Sequence, residues 1–168
     1  FEMVCASGLT VVSNPEFLRE GSAVSDSMSP DRIIIGSNSS QSLAQVRSLY
    51  RSFEQKCEIL EMDFEDAELT KYAANAFLAT KISFMNEISR ICSSINADIE
   101  KVKSGMVHDP RINDAFMDAG FGYGGSCFPK DVLALAHTAS QNNVNSTLLR
   151  AVDETNDIQK TYFLRKHS

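Results

Sequence analysis

Long apolar runs and an excess of basic residues are both missing from this sequence of 168 residues. No stretch reaches the roughly 18 consecutive apolar residues of a membrane-spanning helix, and no signal-peptide pattern opens the chain. Sixteen basic residues against twenty-two acidic ones give a net charge of −6, which disfavours a nucleic-acid or anionic-membrane partner. The sequence therefore predicts a protein that neither spans a membrane nor binds nucleic acid.

Cysteine is sparse, and its spacing lacks the pattern of a metal or disulfide site. The four cysteines, Cys5, Cys57, Cys92 and Cys127, form no CxxC pair, which argues against a zinc site or a disulfide framework. We therefore predict no bound metal, and the reducing cytoplasm as the compartment.

What is present is an ordinary globular composition, with 43% hydrophobic and 23% charged residues. Such a chain is long and apolar enough to bury a core, and its length fits one domain or parts of two. It begins at Phe1 and not at a methionine. We therefore expect a piece of a longer protein.

The first third of the chain alternates short strand patterns with one helix. Residues 9–12 and 32–35 are β-branched runs bounded by turn residues, and they predict strands. Apolar residues three and four apart predict a helix over 41–55, and alternation over 57–62 predicts another strand. This order is typical of the closing part of an α/β sheet whose opening part lies outside the sequence.

From about residue 65 the helical period takes over. Apolar side chains recur at helical spacing over 65–96 without Gly or Pro, which predicts one helix about 45 Å long. Shorter helices are predicted over 98–105 and 131–140. Ser146 can cap a last helix that runs toward His167.

An irregular segment, residues 105–130, interrupts the helices. It holds five of the eight glycines and two of the four prolines, together with aromatic residues that disordered tracts rarely contain. Long loops inside a compact domain are usually functional or disordered. We therefore predict a binding loop.

Cys127 stands near the end of this segment, just before a predicted helix. A thiol at a helix N-terminus beside Lys130 has its nucleophilic thiolate favoured by the helix dipole and the ammonium group. Gly124 and Gly125, which precede it, leave room for a substrate to approach. The alternative is a small buried hydrophobe, which this setting disfavours.

Two other clusters contain residue types that suit catalysis. Lys71 and Asn75 are four apart on the long helix and share a face; that face either points into a pocket or is solvated, and spacing alone favours the solvated face. Glu16 and Glu20 follow a predicted strand, where open α/β sheets bind ligands. Two carboxylates there suit acid–base chemistry, although periodicity alone describes only a strand-to-loop transition.

Four segments occur in a fixed order along nearly the whole chain. They are SNPEFLREG at 13–21, ELTKYAANAFLA at 68–79, HDPRI at 108–112 and GFGYGGSCFPKD at 120–131. Together they resemble the nucleotide-sugar dehydrogenase family of the UDP-glucose 6-dehydrogenase type. Each segment alone is moderate evidence, and the four in order are specific.

The resemblance implies a fold and a division into domains. The fold is an α/β N-terminal remnant, a partial Rossmann sheet, followed by an all-α central dimerisation domain like the C-terminal fold of 6-phosphogluconate dehydrogenase. Residues 1–63 would be the end of the NAD-binding domain, 64–145 the central domain, and 146–168 a connecting helix toward a UDP-binding domain outside the sequence. The N-terminal part carries no GxGxxG pyrophosphate fingerprint, so we expect the isolated chain to be inactive.

The resemblance also implies a reaction, the oxidation of UDP-glucose to UDP-glucuronate with two NAD, in nucleotide-sugar and polysaccharide metabolism. Cys127 would attack the aldehyde that the first oxidation forms, and the second oxidation would convert the thiohemiacetal into a thioester. Matching positions imply oxyanion stabilisation by Lys71, substrate binding by Asn75, orientation of water and Lys71 by Asp131, and acid–base duty for Glu16.

Binding residues and partners follow from the same matching. NAD would contact Glu20, Cys127 and Lys130, and a homodimer would form through the central helices. Residues expected to bind the UDP-sugar are Glu16, Phe17, Leu18, Glu20, Lys71, Asn75, Arg111, Asp118, Phe121, Tyr123 and Gly124; of these, Arg111 would reach the substrate of the neighbouring subunit. GDP-mannose dehydrogenase, which shares the cysteine loop, stays an alternative, and an inert dimerisation module is the alternative of another class.

Overall fold

The computed structural model describes residues 9–167 and, for the last two of these, the backbone alone. Cys5 lies outside the described residues. The chain divides into two compact units, residues 1–71 and 72–168. The division falls within one long helix, Phe64–Ile95.

The first unit contains a two-stranded parallel sheet. Strand β1, Arg32–Gly36, pairs with β2, Glu58–Met62, with Ile33 opposite Ile59. Helix α2, Ser40–Leu49, and a short 3-10 helix, Arg51–Phe53, lie between them along the chain. The branched side chains of β1 are buried, as expected for a strand that packs on both faces.

Two differences from the predicted elements have local causes. Residues 9–12 are not a strand, and only Ser13 pairs with Gly36; residues 37–39 turn into the start of α2 and offer no strand opposite 9–12. The predicted helix 41–55 ends at Leu49, where the chain tightens into the 3-10 turn.

A short helix that the sequence patterns did not predict, α1, spans Ala23–Met28. None of its residues is buried, so it has no apolar face that a periodic pattern could reveal. The Asp26 carboxylate accepts hydrogen bonds from Arg19, one of them from Nη2 at 2.6 Å, and one from Ser22 at 3.1 Å. These bonds hold the pKa of Asp26 well below its ordinary value.

Helices make up the second unit. Helix α3, Phe64–Ile95, contributes its larger part, followed by α4, Ile99–Val107, α5, Phe128–Gln141, and α6, Thr147–His167. The core consists of small and branched side chains from three helices around one aromatic ring: Ala76, Ala79, Tyr123, Val132 and Val152.

Helix α5 begins three residues earlier than the predicted Asp131. Cys127 is its N-cap residue and Pro129 lies in the first turn, where proline fits because the first N–H groups of a helix have no partner inside it. The irregular segment is correspondingly shorter, residues 108–127. A partial parallel sheet followed by helices confirms the predicted order of architectures, and no helix within 9–167 is long and apolar enough to cross a membrane.

Candidate active site

The segment after Ser13 is fixed to the first unit by side-chain hydrogen bonds. Asn14 Nδ2 donates to the carbonyl of Ile34 at 2.7 Å, and the Tyr50 hydroxyl donates to Asn14 Oδ1 at 2.5 Å. Ser13 Oγ bonds to the Glu68 carboxylate on α3. The asparagine thus ties the start of the candidate segment to β1, and the serine ties it to α3.

Lys71 and Glu16 form an ion pair in this unit. Lys71 Nζ lies 3.2 Å from Glu16 Oε1 and also donates to the Glu16 carbonyl. It lies 5.2 Å from the centroid of the Phe17 ring, within the range of a cation–π contact. Only 18% of the Lys71 side chain is exposed. The prediction from spacing alone, that this face of the helix is solvated, is therefore wrong at Lys71.

Glu16 also shapes the segment that follows it. Its Oε2 accepts a hydrogen bond from the backbone N–H of Leu18 at 2.7 Å, so one carboxylate contacts both Lys71 and the chain two residues on. Leu18 and Glu20 are exposed. Gly21 then takes a φ of 84°, a conformation that favours glycine.

A buried amide–carboxylate pair lies in the second unit. Asn75 Nδ2 on α3 donates to Asp131 Oδ2 on α5 at 2.6 Å, and the two residues are only 8% and 2% exposed. Lys130 Nζ lies 3.2 Å from the other oxygen, Oδ1, although no described residue donates a well-aligned hydrogen bond to it. The contact with the Asp131 side chain raises the pKa of Lys130.

Cys127 is exposed at the N-terminus of α5. Its Sγ lies 3.7 Å from the hydroxyl of Ser126. The next residue, Phe128, packs edge-to-face against Tyr123 with ring centroids 6.0 Å apart. The thiol is therefore accessible while the residue after it is anchored in the core.

The other predicted binding residues of this unit differ in accessibility. Arg111 is exposed and bonds to Asp109, with Nη2 2.6 Å from Oδ2, and this contact raises the pKa of Arg111. Asp118 pairs with Lys103.

The aromatic residues of the segment differ in the same way. Phe121 is 66% exposed, and its ring is tilted by 40° against the Phe163 ring at a centroid distance of 3.8 Å. The Tyr123 side chain is buried, and that burial raises the pKa of its hydroxyl to about 12. Gly124 has space around its Cα, since no atom lies within 4 Å of a Cβ built there.

Three buried amide side chains that were not among the predicted site residues hold the glycine-rich segment. Asn86 Oδ1 accepts from the Gly120 N–H at 2.8 Å, and Gln159 Nε2 donates to the Gly120 carbonyl at 2.7 Å. Asn156 bonds to both the N–H and the carbonyl of Tyr123, at 2.8 and 3.0 Å. The available signal was the position of Asn156 and Gln159 in the apolar stripe of α6, four and seven residues after Val152.

Each unit therefore assembles its own part of the predicted residues. Glu16, Phe17 and Lys71 meet in the first unit, and Asn75, Lys130 and Asp131 meet in the second. Among residues 9–167 no three His, Cys, Asp or Glu side chains are grouped to hold a metal ion. The partly covered Lys71 can stabilise an oxyanion. Cys127 presents an exposed thiol at a helix N-terminus.

Both parts of the chain match known sequence families. Residues 3–54 match the UDP-glucose/GDP-mannose dehydrogenase family, NAD binding domain, and residues 65–158 match the central domain of the same family. UDP-glucose 6-dehydrogenase of Pseudomonas aeruginosa is 54% identical over 90% of this chain and 34% of its own length. UDP-glucose 6-dehydrogenase TuaD of Bacillus subtilis is 48% identical over 93% of this chain and 33% of its own length. The chain thus spans about a third of the length of these curated relatives.

Solved structures show the same likeness. The UDP-glucose dehydrogenase of Pyrobaculum islandicum aligns with a TM-score of 0.85 at 40% identity, covering 89% of this chain and 34% of that one. A ternary complex of GDP-mannose dehydrogenase from Pseudomonas aeruginosa aligns with a TM-score of 0.56 at 36% identity, over the same shares.

Proposed function

This chain belongs to the UDP-glucose/GDP-mannose dehydrogenase family, and we propose that it is part of an NAD-dependent enzyme that oxidises UDP-glucose at C6, in two steps, to UDP-glucuronate. The observation that carries the proposal is the exposed Cys127 at the N-terminus of α5, in the motif of a family whose central domain covers residues 65–158. UDP-glucose is preferred over GDP-mannose because the curated relatives at 54% and 48% identity are named UDP-glucose 6-dehydrogenases.

The exposed residues at the start of α5 fit a cofactor. Lys130 keeps 69% of its side chain exposed, and Cys127 is exposed as well, so both can contact NAD; Glu20, exposed in the first unit, completes the proposed set. NAD when bound accepts the hydride that each oxidation releases, so two NAD are consumed per sugar.

Covalent capture is the task proposed for Cys127. Its thiolate attacks the C6 aldehyde left by the first oxidation and forms a C–S bond, which gives a thiohemiacetal. Loss of a hydride from that carbon, and of the hydroxyl proton, gives a thioester. Water then attacks the thioester, releasing the acid and returning the thiol. Because the aldehyde is bound covalently, it cannot escape between the two oxidations.

Side chains of each unit receive roles that suit their own surroundings. Lys71, a compact cation with limited exposure, stabilises the oxyanions formed on the path, and Glu16, which is 55% exposed, exchanges protons with water. Asn75 binds substrate, and Asp131 orients Lys71 and water; their mutual hydrogen bond of 2.6 Å fixes both side chains. The predicted domain division, 1–63, 64–145 and 146–168, is retained as part of the proposal.

Replacing the nucleophile tests this function. In the full-length enzyme Cys127→Ser is expected to bind UDP-glucose but to lose net UDP-glucuronate formation by on the order of a thousandfold or more, measured as NADH absorbance and as acid product. Wild-type rates of acid formation in this variant would refute the covalent route. Comparing kcat/KM for UDP-glucose and GDP-mannose in the wild type decides between the two nucleotide sugars.

A homodimer through the central helices is part of the proposal. Phe77, Phe84, Ile91 and Ile95 are between 48% and 68% exposed and recur at intervals of seven and four residues, which places them on one face of α3. A second copy that covers this stripe would remove it from water. Light scattering of the isolated chain is expected to give twice 18.5 kDa, and a monomer at micromolar concentration would contradict the dimer.

A matched pair of variants locates the interface. Phe84→Asp, in the stripe, is expected to give a monomer, whereas Val144→Asp, at an exposed apolar residue outside α3, leaves the dimer intact.

The same isolated chain is expected to form no NADH from UDP-glucose. Turnover by the isolated chain would contradict its proposed role as an inert dimerisation module when separated from the rest of the enzyme.

A further inference from the structure

Buried amide side chains fix the backbone of the glycine-rich segment at two points. Asn156 on α6 accepts from the N–H of Tyr123 at 2.8 Å and donates to its carbonyl at 3.0 Å. Gln159, one turn further along α6, donates to the carbonyl of Gly120 at 2.7 Å. Asn86 on α3 completes the set by accepting from the Gly120 N–H at 2.8 Å.

These amides are held in orientation by their surroundings. Asn86, Asn156 and Gln159 are 0%, 1% and 3% exposed, so water cannot replace a lost bond. Arg90 Nη1 donates to Gln159 Oε1 at 2.7 Å, which leaves only the Nε2 group to face Gly120. Asn156 and Gln159 each donate and accept at once, which only an amide side chain can do in this arrangement, whereas Asn86 is bonded through its acceptor alone.

Between the two fixed points, Gly122 has no space for a larger residue. Gly122 has a φ of 101°, and a Cβ built on it would collide with Asn156 Oδ1. The backbone therefore passes close to α6 in a left-handed conformation that only glycine adopts readily. A cavity of about 350 Å³ beside this segment is lined by Ile82, Phe116, Asp118, Gly120 and Gly122.

We infer that Asn156 and Gln159 are positioning residues: they hold residues 120–123 in the conformation that receives the nucleotide sugar. The inference rests on the proposed function for what the segment receives. Cys127 lies outside the two fixed points and starts its own helix. Loss of an amide contact therefore weakens substrate binding and leaves the reaction at the thiol intact.

Gln159→Glu in the full-length enzyme separates positioning from folding. The carboxylate keeps an acceptor for Arg90 but has no N–H for the Gly120 carbonyl. We expect KM for UDP-glucose to rise about tenfold, kcat to stay within about twofold, and the rate at which iodoacetamide alkylates Cys127 to stay unchanged. Asn156→Asp, which loses the donor to the Tyr123 carbonyl, is expected to act in the same direction.

Ser83→Ala is the matched control. Ser83, 2% exposed, donates to the Val152 carbonyl at 2.8 Å, so its hydrogen bond joins α3 to α6 and not to residues 120–123. An unchanged KM in Gln159→Glu, or an equal rise in Ser83→Ala, overturns the inference, as does a fall of kcat at constant KM. The thermal midpoint of each variant shows whether folding has changed.

Hydrogen exchange distinguishes failure of this inference from failure of the proposed function. In the wild type the amides of Gly120 and Tyr123 are expected to exchange more slowly than that of Gly124. In Asn156→Leu the Tyr123 N–H loses its acceptor, Asn156 Oδ1, and is expected to exchange at least about tenfold faster. If the wild type oxidises no nucleotide sugar, the proposed function fails, and the exchange rates alone decide whether these amides hold the segment. Equal exchange of the Tyr123 amide in Asn156→Leu and the wild type would overturn that as well.

Discussion

The two candidate catalytic pairs of this chain, Glu16 with Lys71 and Asn75 with Asp131, differ in how far solvent reaches them. In the first unit the Glu16 side chain is 55% exposed and that of Lys71 18%. In the second, both partners are almost fully buried. Water can replace a lost partner at the exposed carboxylate, but not at the buried one.

This difference in solvent exposure suits the two pairs to different roles. A buried carboxylate that accepts an amide hydrogen bond is fixed in position, which suits a residue that orients others. A solvent-exposed carboxylate beside a lysine can exchange protons with water at little cost. The stability of the chain should therefore depend on the Asn75–Asp131 pair far more than on the Glu16–Lys71 pair.

Breaking the buried pair is expected to have the largest effect on stability. Asn75→Ala leaves the Asp131 carboxylate buried without its 2.6 Å hydrogen bond, which costs about 2–4 kcal/mol in the free energy of unfolding. Urea unfolding followed by far-UV circular dichroism measures this, because the second unit is helical and the chain has no tryptophan. A loss of the same size in Glu16→Ala would remove the distinction between the pairs.

Tyr123 offers a second kind of buried polar group for comparison. No described residue forms a hydrogen bond with its buried hydroxyl. Burial, with smaller contributions from Asp153 and Asp157, raises its pKa to about 12, above an unfolded value of about 10. Its contribution to stability is therefore fully present below pH 10 and is lost as the pH rises through 12. We expect the wild type to lose on the order of 1 kcal/mol more than Tyr123→Phe between pH 9 and 12, measured by urea unfolding.

At neutral pH the stability of the Tyr123→Phe variant can also be predicted. Since no described residue bonds to the hydroxyl, its removal at pH 7 should be neutral or slightly stabilising. Parallel loss of stability in the variant and the wild type above pH 10 would mean that the ring is not buried as the structure has it.

Long helices were predictable from the sequence because their apolar period repeats many times. Helix α3 begins and ends within a residue of the predicted 65–96, and α6 starts directly after its predicted cap, Ser146. Of the short elements, strands β1 and β2 lie where the patterns predicted them, at 32–35 and 57–62, whereas two others did not follow the patterns. Helix α1 has no buried face, and the strand predicted over 9–12 has no partner where the chain turns into α2.

The candidate site was predictable only where a motif identified it. Spacing along α3 could not show that Asn75 bonds to Asp131, since the two are 56 residues apart and belong to different helices. Asn156 and Gln159 resemble surface residues by type, and only their place in the apolar stripe of α6 indicates burial. Whether a polar side chain can hold a loop depends on which backbone N–H or carbonyl groups it faces. The sequence alone does not show which groups face each other.

Of the two candidate catalytic pairs, Glu16–Lys71 is expected to show the smaller stability effect when it is broken, here at Lys71. Lys71→Met keeps the length of the aliphatic stem and removes the ion pair with Glu16 and the cation–π contact with Phe17, at a cost of about 1 kcal/mol or less because one partner is exposed. Acid formation in the full-length enzyme should nevertheless fall by on the order of a hundredfold or more, since the oxyanion loses its cation. Urea unfolding and NADH production measure the two quantities in the same preparation. A variant that unfolds as easily as Asn75→Ala would assign Lys71 a structural role, whereas stability near that of the wild type with collapsed activity ties its charge to the chemistry.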